Sequence, residues 1–142
     1  MLRLIDSSIW ISYLRPKPNA ALVATVRLAL EKDEGAIAAP IVAEVLAGIR
    51  DPSEYALRES DFKALPHIAV DGDAGYIAAR IGRALSAAGR RGNTIDALLA
   101  AGAIHAGAEL WSLPESHYEG IRKILRTPEL RHIGLLQVRW FA

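Results

Sequence analysis

The sequence predicts an α/β fold with a mainly parallel central sheet flanked by helices. Short buried-type runs of apolar residues alternate with longer stretches of helical periodicity, the pattern of strand–helix units feeding a parallel sheet. Of the 142 residues, 51% are hydrophobic and 23% charged, enough to build one core and too apolar for a disordered chain. No repeat, linker or low-complexity segment interrupts the pattern, so residues 1–142 read as a single domain.

The elements follow in order. Residues 2–5 read as a short buried strand, and residues 7–14 as a helix stopped by Arg15-Pro16-Lys17-Pro18. Asn19 suits the cap of an amphipathic helix over 19–31. Residues 35–39 form a strand running into Pro40, which fits the first turn of a helix through Ile49. Asp51-Pro52-Ser53 breaks the chain and caps a helix over 54–64, and residues 66–70 are a strand or an extended connection. A long helix over 73–88 stops at Gly89, with Arg90-Arg91-Gly92 as the loop after it. A helix over 93–105 breaks at Gly107. A strand over 109–113, a helix over 115–125 and a last strand over 135–138 complete the chain, close to the aromatic pair Trp140-Phe141.

Composition removes several chemistries. Without cysteine there is no disulfide framework, thiolate metal site or cysteine nucleophile. Asp6 stands too early for a signal peptide, and no run approaches the roughly 18 apolar residues of a membrane span. The reading is a soluble, cytoplasmic protein with no membrane partner. Formal net charge is +1, so the molecule as a whole is no polycation. Its lysines are only Lys17, Lys32, Lys63 and Lys123. The remaining cations are arginines, which suit bidentate phosphate contacts and are equally what a GC-rich genome encodes.

Three almost wholly apolar stretches each carry one lone carboxylate. They are Leu4-Ile5-Asp6-Ser7-Ser8-Ile9-Trp10-Ile11, Ile41-Val42-Ala43-Glu44-Val45-Leu46-Ala47-Gly48-Ile49 and Thr94-Ile95-Asp96-Ala97-Leu98-Leu99-Ala100-Ala101. None contains Lys, Arg or His. Burying a carboxylate is costly unless it is paired or bound to a metal. Asp6 sits where a strand yields to a helix, a place where ligands bind in open α/β sheets and where an Asp also caps. Asp96 falls in a first helical turn, where the helix dipole also favours it. Glu44 is mid-helix among Pro40, Ile41, Ala47 and Gly48, none of which neutralises it. Three such residues suggest a cation, and an all-oxygen donor set suits Mg²⁺ or Mn²⁺ and phosphodiester chemistry.

These stretches resemble the PIN-domain ribonucleases, in particular the VapC-type toxins of bacterial toxin–antitoxin pairs. The opening residues 4–11 look like the family's hydrophobic-Asp-Ser-Ser start. Residues 40–50 look like its Glu-hydrophobic-x-x-Gly helix, and residues 93–101 like its Asp-x-hydrophobic-hydrophobic-Ala-Ala helix. Glu109-Leu110-Trp111-Ser112-Leu113 followed by His117-Tyr118 looks like its last strand and following aromatic. The order, spacing and chain length match together. The resemblance implies a three-layer PIN-like fold in which Asp6, Glu44 and Asp96 bind Mg²⁺ or Mn²⁺ and cleave RNA. Asp6 and Asp96 would be the main ligands. Glu44 would act through a bound water or orient the nucleophile. Ser7 and Ser8 would support the site by hydrogen bonds. The one departure is Pro114, where the family carries Asp or Asn; Glu115 beside it is the candidate substitute metal ligand.

Around a carboxylate pit, rim cations should hold the RNA backbone. Arg15 and Lys17 after the Asp6 helix, and Arg90 and Arg91 before the Asp96 helix, are the candidates. His105, His117 and His132 are scattered, and read as surface or packing residues. Single-stranded or looped RNA, such as tRNA or rRNA, is the expected substrate. The resemblance further implies a cognate antitoxin protein and a homodimer. The alternative is a non-catalytic PIN-fold module that binds RNA or protein, a reading Pro114 favours. A receiver-type phosphoacceptor would need a Lys after a late strand, where Trp111-Ser112-Leu113-Pro114 has none. A haloacid-dehalogenase-type phosphatase would need Asp two residues after Asp6, where Ser8 stands.

Overall fold

The structure is a computed structural model, and residues 1–114 and 117–141 are described. Along the chain come β1 (Arg3–Ile5), α1 (Ser7–Tyr13), α2 (Ala20–Glu31), β2 (Gly35–Ala36), α3 (Ala39–Ala47) and α4 (Pro52–Lys63). They are followed by α5 (Gly72–Ala87), α6 (Thr94–Ala106), β3 (Glu109–Ser112), α7 (Tyr118–Ile124), a 3₁₀ turn (Arg131–Ile133) and β4 (Val138–Trp140). Several helix starts have a local chemical cause. Asn19 accepts from Leu22 N at 3.0 Å, and Asp51 from Glu54 N at 2.9 Å. Asn93 accepts from Ile95 N at 2.8 Å and from Asp96 N at 3.2 Å. These bonds satisfy orphan amides of the first turns. Gly107, at φ 63°, ends α6 in the left-handed conformation that glycine adopts without Cβ strain.

The strands form one sheet of order β2-β1-β3-β4, every pair parallel. Its centre is β1 beside β3, with Leu4 opposite Leu110 and Ile5 opposite Trp111. From β1 the chain crosses through α1 and α2 to β2 on one side. From β3 it crosses through α7 to β4 on the other. The two crossovers diverge at the carboxyl ends of β1 and β3, which opens the crevice where α/β sheets bind ligands. Helices cover both layers of a core built on Leu4, Ile5, Leu110, Val26, Ile41, Ile81 and Ile121. The apolar side of α6, with Leu99, Ala100, Ala101 and Ala103, is buried within it. Among the described residues, no helix is long and apolar enough to cross a membrane.

The α/β reading and the mainly parallel sheet are borne out, with two local corrections. Of the two readings for residues 66–70, the extended connection holds and no strand forms. They make one isolated parallel bridge, Ile37 to His67, held by Ile37 N to Pro66 O and Ile68 N to Ile37 O. The last strand is Val138–Trp140 instead of 135–138. Gly134, at φ 123°, redirects the chain, Leu135 is left exposed and Leu136 anchors in the core. The ladder to β3 begins where Leu110 N donates to Gln137 O and closes where Phe141 N donates to Ser112 O. Helix α7 starts at Tyr118, while residues 115 and 116 lie outside the described residues.

Candidate active site

Asp6 is the residue that leaves β1 and caps α1. Its amide donates to Trp111 O at 3.0 Å, which ties the carboxyl end of β1 to β3. Its carboxylate is buried, 7% exposed, and four donors surround it. Oδ2 accepts from Ser8 Oγ at 2.8 Å and, with longer contacts, from Ser8 N and Ser112 Oγ at 3.4 Å each. Oδ1 accepts from the Tyr118 hydroxyl at 3.2 Å. The capping role and the position in the crevice are therefore properties of the same carboxylate. Ser8 supports it as expected, and its hydroxyl also receives Leu113 N at 3.4 Å. Ser7 is buried beside it, but no described hydrogen bond joins it to Asp6.

Asp96 comes to the same place from the first turn of α6. Its side chain is partly covered, and Oδ2 lies 3.1 Å from His117 Nδ1. Burial raises its pKa above the ordinary carboxylate value, and the charge of Asp6 adds to that; the hydrogen bonds from His117 and Tyr118 work the other way. Tyr118 therefore hydrogen-bonds both carboxylates from a position with no solvent exposure. Its phenol is pushed far above the usual tyrosine range, first by burial and then by the charges of Asp6 and Asp96, so it remains a proton donor at neutral pH.

Glu44 sits apart. It lies on an exposed face of α3, in a groove of about 480 Å³ with Arg15, Arg50, Ile11 and Gly48. No described hydrogen bond or ion pair joins it to Asp6 or Asp96. The described residues hold no group of three His, Cys, Asp or Glu spaced for a single ion. Glu115 falls outside the described residues. Arg15 and Lys17 are exposed in the loop after α1, and Arg90 and Arg91 are exposed in the loop before α6. Arg90 reaches α7: a Cβ placed on Gly120 would lie 3.7 Å from its Nη1.

Two contacts escape sequence reading. His117 reads there as a surface residue, and it is exposed, but it also bonds Asp96. Tyr118 reads only as the aromatic that follows the family's last strand, and its hydroxyl proves to be the bridge between the two carboxylates. A Tyr where a pure packing position needs only Phe is the one available signal, since a buried hydroxyl needs a partner. The donor set of Asp6 and Asp96 suits a hard cation. Mg²⁺ is characteristically held by one or two carboxylates together with waters and substrate phosphate. The two carboxylates fit that pattern; a cage built wholly of protein groups does not exist among the described residues.

The chain is 33% identical to Ribonuclease VapC19 of Mycobacterium tuberculosis over 117 residues, 82% of this chain and 92% of the relative. It is 36% identical to VapC ribonuclease Mb1587 of Mycobacterium bovis over 110 residues, 75% of this chain and 82% of the relative. Among solved structures, VapBC2 from Rickettsia felis, bound to a promoter DNA fragment, superposes with TM-score 0.74 at 16% identity over the full length of both chains. DNA-bound VapBC from Salmonella typhimurium gives 0.71 at 18% identity, again over both full chains. At those identities the structures speak for the fold alone. The PIN domain family model matches residues 3–126, and with relatives above 30% identity over most of their length, this chain belongs to the PIN-domain family, alongside its VapC-type members.

Proposed function

We propose that this protein is a metal-dependent endoribonuclease that hydrolyses RNA phosphodiesters, the toxin of a toxin–antitoxin pair. The observation that carries the reading is the convergence of Asp6 and Asp96 on Tyr118 at the switch point between β1 and β3. Two carboxylates drawn out of water side by side repel each other in the absence of a ligand, and a cation would relieve them. The family relatives named as VapC ribonucleases support the same activity.

Asp6 and Asp96 would hold Mg²⁺ or Mn²⁺. When bound, the ion supplies charge neutralisation on the phosphate and an activated water. Ser8, Ser112 and Tyr118 fix the Asp6 carboxylate from three sides. His117 holds Asp96 from the solvent side. Glu44, exposed on α3, would orient the attacking water across the groove. Arg15, Lys17, Arg90 and Arg91 would meet the RNA backbone at the rim. Tropism for tRNA or rRNA, a cognate antitoxin, a homodimer and a cytoplasmic site of action belong to the same proposal. The VapBC assemblies among the structural neighbours support the antitoxin.

The experiment incubates purified protein, free of antitoxin, with total tRNA and rRNA in Mg²⁺, Mn²⁺ or EDTA. Asp6→Asn and Asp96→Asn run alongside, Asn being chosen because it keeps the side-chain volume at both positions and the cap at Asp6. Discrete cleavage that needs metal and falls by roughly a hundredfold or more in both variants is the expected result. Cleavage surviving in both would remove Asp6 and Asp96 from the site. The absence of cleavage on every RNA would favour the non-catalytic binding module, the reading consistent with Pro114.

A further inference from the structure

Charge is unevenly spread along this chain. Residues 117–141 carry Arg122, Lys123, Arg126, Arg131 and Arg139 against only Glu119 and Glu129, a net of +3 in a protein whose total is +1. The rest of the chain is therefore net acidic, and the cations gather in the segment that starts at the candidate site. Two of them, Arg122 and Arg126, line a groove of about 580 Å³ between α7 and β4, together with Gln137, Val138 and Trp140. Glu109 also lines it, but its charge is already paired with Arg3 at 2.8 Å.

Two elements that flank the groove, α7 and β3, also carry donors to Asp6, through buried side chains that lie outside the groove's own lining. Tyr118, which donates to Asp6, opens α7. Arg122 then stands one helical turn, about 6 Å, further along α7, and Arg126 lies in the turn just past the end of that helix, its amide donating to Lys123 O at 3.2 Å. On the sheet, Ser112, which also donates to Asp6, is the register partner of Trp140 on the adjacent strand, about 4.8 Å away. Trp140 is only partly buried, whereas Trp10 and Trp111 are in the core. Arg126 is exposed, and among the described residues Arg122 is held by the surface residue Glu119 alone, at 2.8 and 2.9 Å. An exposed pair of this kind is worth little and exchanges readily for a phosphate. The carboxyl of Glu119 lies below its ordinary value, first through its bond to Arg122 and then through the charges of Arg122, Lys123 and Arg126.

We propose that the α7–β4 groove binds single-stranded RNA, with Arg122 and Arg126 on successive phosphates and Trp140 under a base. The groove holds the strand beside the Asp6–Asp96 site and not within it, and this assignment rests on the ribonuclease reading. An aromatic platform beside a row of cations is how proteins grip single strands without reading sequence. The acidic centre repels a phosphate backbone until a cation is bound. A basic track one helical turn away gives the strand a hold that does not depend on that cation.

The test uses the full chain in EDTA, where no metal-dependent cleavage occurs, with fluorescein-labelled dodecauridylate as the probe. Anisotropy titrations from about 50 to 200 mM KCl give the salt slope, whose magnitude on a single strand is about 0.7 for each phosphate neutralised. Arg126→Ala is expected to lower that slope by about 0.7, Arg122→Ala with Arg126→Ala by about 1.4, and Arg126→Lys to restore most of it. Intrinsic fluorescence should change on binding and lose that change in Trp140→Leu, while thermal melting of the arginine variants stays at the wild-type value. An unchanged slope and affinity in Arg126→Ala overturns the proposal, as does a wild-type chain that leaves the probe unbound. Capture of an Asp/Glu-rich extended peptide in place of RNA would give the groove to a protein partner and overturn it too. Binding that needs Arg126 in a protein that cleaves no RNA would fail the catalytic reading and leave the groove standing.

Discussion

The Tyr118 hydroxyl lies 3.2 Å from Asp6 Oδ1, although 112 residues separate the two in the chain. The same hydroxyl also bonds Asp96. A phenol carries one proton, so it cannot donate fully to two ionised carboxylates at once. Asp6 has further donors in Ser8 and Ser112, and Asp96 has His117, so what the shared phenol proton leaves uncompensated is the repulsion between the two charges. A cation would relieve that repulsion.

Tyr118→Phe keeps the ring in the core and removes only the bridge. Loss of a buried hydrogen bond to charged groups costs about 1.5–3 kcal/mol, and the chain should melt several degrees lower in EDTA. Saturating Mg²⁺ should narrow the gap between variant and wild type, because the cation takes over the compensation. Calorimetry in EDTA and in Mg²⁺ reads both quantities. Equal melting temperatures in EDTA would mean that the hydroxyl contributes nothing to the apo site.

Asp96 has a folded pKa raised above its value in the unfolded chain, by burial first and by Asp6 next. A raised carboxyl binds its proton more tightly when folded. Its favourable contribution is fully present below the unfolded value and is lost as pH rises through the folded one. At neutral pH the metal-free protein therefore bears the cost of ionising Asp96. Asp96→Asn should melt higher than wild type at pH 7 in EDTA, and the difference should shrink as pH falls through the folded pKa toward the ordinary value of 3.8. A variant that melts lower at pH 7 would show that the bonds from His117 and Tyr118 outweigh burial. Stability gained there together with loss of cleavage would identify a site strained for function.

Gly102 tests how α6 is set against the chain beneath it. In most helix interiors, Gly→Ala stabilises by about 1 kcal/mol. Here the added Cβ would lie 3.1 Å from Ala69 O and 3.2 Å from Val70 Cγ2. Overpacking of this kind costs about 1–3 kcal/mol, so Gly102→Ala should be net destabilising. Because α6 carries Asp96, the variant should also weaken metal binding, as read by the Mg²⁺-induced rise in melting temperature. A stabilised variant would mean that segment 68–70 yields freely.

The local chemistry of this chain is legible without its structure. Asn19, Asp51 and Asn93 announce their helices because a cap is a bond between residues two or three apart. Gly107 announces the end of α6 because its backbone conformation is costly for other residues. The apolar runs around Leu4 and Leu110 announce buried strands, and the lone carboxylates of Asp6 and Asp96 stand out against them. The limits of β4 were less legible. Residues 135–138 are as apolar as a strand should be, yet pairing begins only where β3 supplies partners.

What the sequence by itself determined is therefore most of the elements, the class of fold and which carboxylates stand alone in apolar stretches, all products of interactions a few residues long. Only the tertiary structure decided that β1 lies beside β3, which brings Ser112 to Asp6 across 106 residues and Tyr118 across 112. It also decided that His117 touches Asp96 and that Glu44 is exposed on α3. Strand order is set by which non-local pairing buries the most apolar surface at a tolerable loop-closure entropy, and no periodicity along the chain records that balance.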